Sequence, residues 1–135
     1  MERVEVCCLG LLAAVFAAVA AVGFFLPHVL FDPIGVPLDS AAAAAEIRAG
    51  YGGLFGAVSY VCAMGALRPP RRTQALTVAV IALGGFTVGR LLSWGLDGAP
   101  ENPIAVANLI AEGVGFTVAA LLLFARRRRA HGPTV

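Results

Sequence analysis

The sequence predicts an all-α integral membrane protein, an antiparallel four-helix bundle with both termini in the cytoplasm. Three observations carry this reading. The 135 residues are 59% hydrophobic and 13% charged, where a soluble domain carries about 25% charge. The apolar residues fall into four runs of about 20 residues, the length a helix needs to cross the hydrocarbon core. The ten basic residues, all arginines, gather mainly on alternate sides of those runs. A soluble helix is seldom apolar on every face over such a length.

The elements follow in order. The first span, about 7–26, carries no charge. Ala18-Val19-Ala20 has the form of a signal-peptide cleavage site. The apolar run is longer than the usual signal core, and Arg3 lies between Glu2 and Glu5, so a retained helix is expected. No lipidation motif replaces it, since Met1-Glu2 excludes myristoylation. Asp32-Pro33, Gly35 and Pro37 read as turns in the first link. Asp39-Ser40 offers a helix N-cap, and Ala41 to Ala45 form helix readily. The second helix is thus expected to begin about two turns outside the membrane and to cross it over about 46–67. Arg68-Pro69-Pro70-Arg71-Arg72 makes a tight basic link. The third span, about 73–96, carries Arg90 as its one charge. Asp97-Gly98-Ala99-Pro100 is a turn, and Pro103 suits a first helical position. The fourth span, about 103–125, carries Glu112 as its one charge, and Arg126 to Arg129 follow. Short links make successive helices antiparallel neighbours. One domain is expected over residues 1–135, with no repeat and no soluble appendage.

Arg3, Arg68, Arg71, Arg72 and Arg126 to Arg129 share one side of this topology. Asp32, Asp39, Asp97 and Glu101 share the other. Cytoplasmic flanks carry the arginine excess, which places both termini inside. The net charge of +2 comes mainly from the arginine run, so it does not point to nucleic acid. Cys7, Cys8 and Cys62 lie in apolar runs without metal spacing and read as packing residues. His28 and His131 read as surface residues. No metal and no cofactor is expected.

The residues that call for explanation are the polar ones within the spans. An ionisable side chain near a helix centre costs about 2.5–3.5 kcal/mol on insertion scales, unless it faces the bundle interior and finds a partner. Arg90 lies roughly 9 Å inside the outer end of its helix and Glu112 about 13 Å inside the outer end of the next. In antiparallel neighbours the two can meet. Ser93 and Asp97 follow Arg90 at three and seven residues, on one face. Asn108 precedes Glu112 by four. Glu46, Arg48 and Tyr51 stand near the outer boundary of the second helix. Glu46, Tyr51, Arg90, Ser93, Asp97, Asn108 and Glu112 are therefore candidates for one polar pocket opening outward. Gly52 and Gly56, and Gly85 and Gly89, form G-x-x-x-G pairs that suit close helix contact.

Each candidate also has a plain structural reading. Arg90 with Glu112 suits a buried ion pair that sets helix register. Glu46 and Arg48 suit a solvated boundary, Asp97-Gly98 a turn, and Tyr51 and Trp94 interfacial anchors. Against structure alone stands the number of acids, more than one register-setting pair needs.

The segment Glu46-Ile-Arg48-Ala-Gly-Tyr51-Gly52-Gly53-Leu54, then Gly89-Arg90-Leu-Leu-Ser93, then Asp97-Gly98-Ala-Pro100, resembles a bacterial membrane family, domain of unknown function 4345. An acid midway along the last helix, Glu112 here, fits the same pattern. The resemblance covers nearly the whole chain. It implies a four-helix fold in a bacterial plasma membrane and favours Glu46, Tyr51, Arg90, Asp97 and Glu112 as site residues. It implies no particular activity. The layout is similar to that of DoxX-like proteins and of the sterol isomerase and sigma-2 receptor group, a likeness of architecture alone.

Three functions suit these residues. One is a pocket for a small lipophilic ligand, with or without acid–base chemistry such as isomerisation or cyclisation. Glu112 would then be a buried acid with a raised pKa, Asp97 or Glu46 the second carboxylate, and Arg90, Tyr51, Ser93, Asn108 and Trp94 the binding residues. The second is an accessory subunit that packs on a membrane-protein partner or on further copies of itself. The third is proton or small-solute transport, which the nearly apolar inner half, with Ser59, Thr77 and Thr117, argues against. Membrane lipid is a partner in every case.

Overall fold

A computed structural model describes residues 2–130, all-helical with no strand among them. Helix α1 (Glu2–Phe25) ends before Pro27, which opens the short helix α2 (Pro27–Phe31). A 3-10 turn (Asp32–Ile34) follows and stops at Gly35, whose φ of 73° favours a residue without Cβ. The expected cap forms at Ser40, whose Oγ accepts from the Ala43 N–H at 3.0 Å. It opens α3 (Ala41–Ile47). The chain then winds as a π-helix over Arg48–Leu54 and continues as α4 (Phe55–Leu67). Pro69 follows the end of α4, where Arg68 is extended, the conformation a following proline favours. A 3-10 turn (Pro69–Arg71) leads into α5 (Arg72–Asp97), which stops at Gly98. Helix α6 (Pro103–Ala130) starts on proline, and the Asn102 side chain accepts from the Ile104 N–H at 2.8 Å.

Four helical stretches are long and apolar enough to cross a membrane: Glu2–Phe25, Ala41–Leu67, Pro69–Asp97 and Pro103–Arg129. They pack in chain order. Along α1, Gly23 lies against Tyr51, the Ala13 carbonyl accepts from Ser59 Oγ at 2.8 Å, and Leu9 lies against Gly65. Numbers fall along one helix as they rise along the other. The same holds between α4 and α5, where Phe55 meets Phe86 and Gly65 meets Ala75. It holds again between α5 and α6, where Arg90 meets Glu112, Gly84 meets Phe116 and Thr73 meets Arg126.

The tight core lies toward the end that carries Glu2 and Arg126. Leu9, Ala13 and Phe16 of α1, Cys62 of α4, Ala75, Leu76, Ala79 and Leu83 of α5, and Ala119 and Leu123 of α6 are buried together. Cys62 packs there as expected, whereas Cys7 is exposed on α1. Toward the other end α5 is largely uncovered: Leu92 is 63% and Leu96 84% exposed. His131 lies outside the described residues.

Candidate functional site

Arg90 and Glu112 meet. Arg90 Nε donates to Glu112 Oε2 at 2.7 Å, and Arg90 Nη2 donates to Oε1 at 3.0 Å. Two parallel charge-assisted bonds of this kind are the strongest geometry for the pair. The side chains retain 29% and 18% exposure, so the pair is sheltered and still reachable. Both Glu112 oxygens accept from the one guanidinium.

Tyr51 is the third member. The π-helical turn carries it inward, where its ring stacks on Phe55 at 5.1 Å and meets Phe31 edge-on at 4.8 Å. Phe55 in turn meets Phe86 at 5.1 Å, one turn before Arg90, which brings the Tyr51 ring stack to the helix that carries the ion pair. Single π-turns recur at functional positions in helices, and this one holds Gly50, Tyr51, Gly52 and Gly53. Its backbone can run close to α1 because Gly23 and Gly52 lack Cβ atoms: one built on Gly23 would stand 2.7 Å from Tyr51 Cβ, and one on Gly52 2.8 Å from the Phe24 ring. Arg48 Nε completes the join by donating to the Phe24 carbonyl at 3.1 Å, at the C-terminus of α1 where carbonyls lack helical partners.

Glu46, Ser93, Asp97 and Asn108 do not join this group; all four are exposed. Trp94 is half-buried, one turn beyond Arg90. Shared helical face alone did not bring Ser93 and Asp97 to the ion pair, whose two hydrogen bonds involve Arg90 and Glu112 only. Among the described residues no three His, Cys, Asp or Glu side chains gather to hold a metal ion.

The cavity beside the site is apolar. A groove of about 450 Å³ lies between α4 and α5, walled by Leu54, Phe55, Val58, Ile81, Gly85 and Phe86, with Val78, Ala82 and Phe16 completing it. None of the expected polar residues lines it. Its ring-lined end abuts the site: Phe55 is the residue on which Tyr51 stacks, and Phe86 lies one turn before Arg90.

A second polar cluster, at the opposite end, was not expected from the sequence. Glu5 is only 1% exposed and accepts from Arg126 Nη1 at 2.9 Å. Arg126 also donates to Thr73 Oγ at 2.9 Å and to the Pro69 carbonyl at 3.2 Å. Arg72, itself buried, donates to Glu2 at 3.1 Å. The available signal was two glutamates three residues apart, on the flank that also holds the arginines.

Four helices of membrane-crossing length, with an ion pair closed between two of them, define a small helical membrane protein. The chain belongs to the family described as a domain of unknown function (DUF4345), whose model matches residues 6–125. That is the family the ordered motifs resemble. Neither a curated protein nor a solved structure matches the chain.

Proposed function

We propose that the protein is an antiparallel four-helix bundle of the plasma membrane, with both termini cytoplasmic, that binds a small lipophilic molecule in the α4–α5 groove. The observation that supports it is the juxtaposition of an apolar groove of about 450 Å³ with a sheltered polar group, Tyr51 and the Arg90–Glu112 pair, at one end. Ligand sites combine mostly apolar walls with a few placed polar atoms, in volumes of about 300–1,000 Å³. The arginines at the Glu2/Arg126 end support the orientation, by the excess of basic residues on cytoplasmic flanks.

Binding is favoured over acid–base chemistry. Glu112 is engaged through both oxygens, and the second carboxylates, Glu46 and Asp97, stand exposed. Transport is disfavoured on the same kind of ground. The hydroxyls of Ser59, Thr77 and Thr117 each donate to a backbone carbonyl at 2.8 Å, so they do not extend a polar path from Arg90 toward the other end.

Gly85 provides the test. It lines the groove, and a Cβ built on it meets nothing within 4 Å. Gly85→Leu should therefore fill the groove without disturbing the helices. Native mass spectrometry with lipid analysis on the purified protein should find a discrete lipophile that Gly85→Leu excludes. Bulk phospholipid alone, in equal amounts on both proteins, would remove the basis for this function.

A further inference from the structure

We infer that the bound molecule carries one uncharged oxygen at its polar end, a carbonyl or a hydroxyl, which accepts a hydrogen bond from Arg90 Nη1 beside the Tyr51 hydroxyl. The inference rests on the groove being the binding site and names the chemistry of its polar end.

The argument starts from the guanidinium. It is planar and presents its donors in a fixed fork. Glu112 takes the edge formed by Nε and Nη2. The remaining nitrogen, Nη1, then points away from the carboxylate by the geometry of the group, and it makes no hydrogen bond among the described residues. The Tyr51 hydroxyl makes none either. Arg90 thus keeps a directed donor after its ion pair is complete. Tyr51 adds a hydroxyl that donates to a carbonyl or accepts from an alcohol.

Charge decides the class of ligand. Arg90 and Glu112 together are neutral. A carboxylate or phosphate brought to Nη1 must also approach the Glu112 carboxylate, and a quaternary amine must approach the guanidinium. Either leaves a net charge in surroundings of low dielectric, where unpaired charge is costly. Glu46 and Asp97 are exposed and stand outside the group, so neither neutralises a cation there. A neutral oxygen satisfies Nη1 without that cost. The remainder of the molecule lies along Phe55, Phe86 and Gly85, which offer only apolar surface.

The protein contains one tryptophan, Trp94, one helical turn from Arg90, which makes binding readable by its fluorescence. The full chain in lipid nanodiscs is titrated with four probes sharing one saturated chain and ending in a methyl ketone, a primary alcohol, a carboxylate or a trimethylammonium. The ketone and alcohol should bind at least about tenfold more tightly than both ionic probes, as one charge-assisted hydrogen bond and the avoided charge burial require. Tyr51→Phe, which keeps the ring stack, should weaken the two neutral probes by a few-fold, and Gly85→Leu should abolish their binding. Equal affinities for all four probes, all lost in Gly85→Leu, overturn the neutral-oxygen inference and leave the groove as the site. Affinities unchanged by Gly85→Leu overturn both, because the groove is then not where the probes bind.

Discussion

Arginine and glutamate inside an apolar helix are each destabilising alone, and the pairing of Arg90 with Glu112 turns that cost into a constraint on register. The two-bond geometry fixes how far α5 can slide or turn against α6. Removing one partner leaves the other charge without compensation, which costs about 3–5 kcal/mol at fully buried sites. The cost here should be somewhat smaller, because the side chains retain 29% and 18% exposure. Arg90→Ala should thus lower the thermal unfolding temperature in detergent sharply, and Glu112→Ala likewise. The double variant should be more stable than the two single losses added together, since it leaves no orphaned charge. Additive losses would mean that the two side chains contribute independently and that the pair sets nothing. Arg90 and Glu112 were legible in the sequence because charges are rare in such spans, and equal depths in neighbouring helices leave few other partners. The buried Glu5 was not legible. A glutamate near the start of a helix and beside an arginine reads as solvated, and only tertiary packing shows that Arg126, far along the chain, covers it.

At the scale of the element, glycine separates what pattern predicts from what packing uses. Gly85 and Gly89 have the G-x-x-x-G spacing, yet a Cβ built on either meets nothing within 4 Å. One faces the groove, and neither makes a close helix contact. Gly65 belongs to no such pair, yet its added Cβ would collide with Ala75 Cβ and stand 3.1 Å from Leu9 Cδ1. It is where α1, α4 and α5 converge. Gly65→Ala should therefore destabilise by about 1–3 kcal/mol, as overpacked sites do. Gly89→Ala should stabilise by about 0.5–1 kcal/mol, the helix-interior preference for alanine. Unfolding of the two variants side by side reads the contrast, and a reversed order would mean the helices approach elsewhere. The π-helical turn was equally hidden. The glycines at 50, 52 and 53 suggest a loosened helix to the eye, but the extra residue per turn follows from seating Tyr51 against Gly23 and Gly52 against Phe24, contacts between segments distant in sequence. The four long apolar helices and the Ser40 cap, by contrast, are local properties and could be read from the sequence.

At the scale of the whole molecule, two ties hold opposite ends by different means. At one end Arg126 gathers Glu5, Thr73 and the Pro69 carbonyl, joining α1, the α4–α5 link and α6. At the other, Asn102 donates to the Pro33 carbonyl at 2.7 Å, joining the two remaining links. The first end holds most of the arginines and the tight core; the second holds the exposed acids, the π-turn and the site. If cytoplasmic flanks keep the arginines, the ring-lined end of the groove lies in the outer leaflet, and the polar end of the proposed ligand would lie there too. This orientation is testable on intact cells. In a cysteine-free background, Asp32→Cys and Glu101→Cys should react with a membrane-impermeant maleimide added outside, and Arg71→Cys should react only after permeabilisation. All three positions are exposed, so protein burial does not shield them. The reverse pattern would turn the molecule over and put the site in the inner leaflet. Reaction of Asp32→Cys and Arg71→Cys from the same side would overturn the four-span path itself, since an odd number of crossings must separate them. The expected pattern would leave Arg90, Tyr51 and the ring-lined end of the groove facing the outer leaflet, where a lipophile ending in a single oxygen would lie with its chain directed toward the bilayer centre.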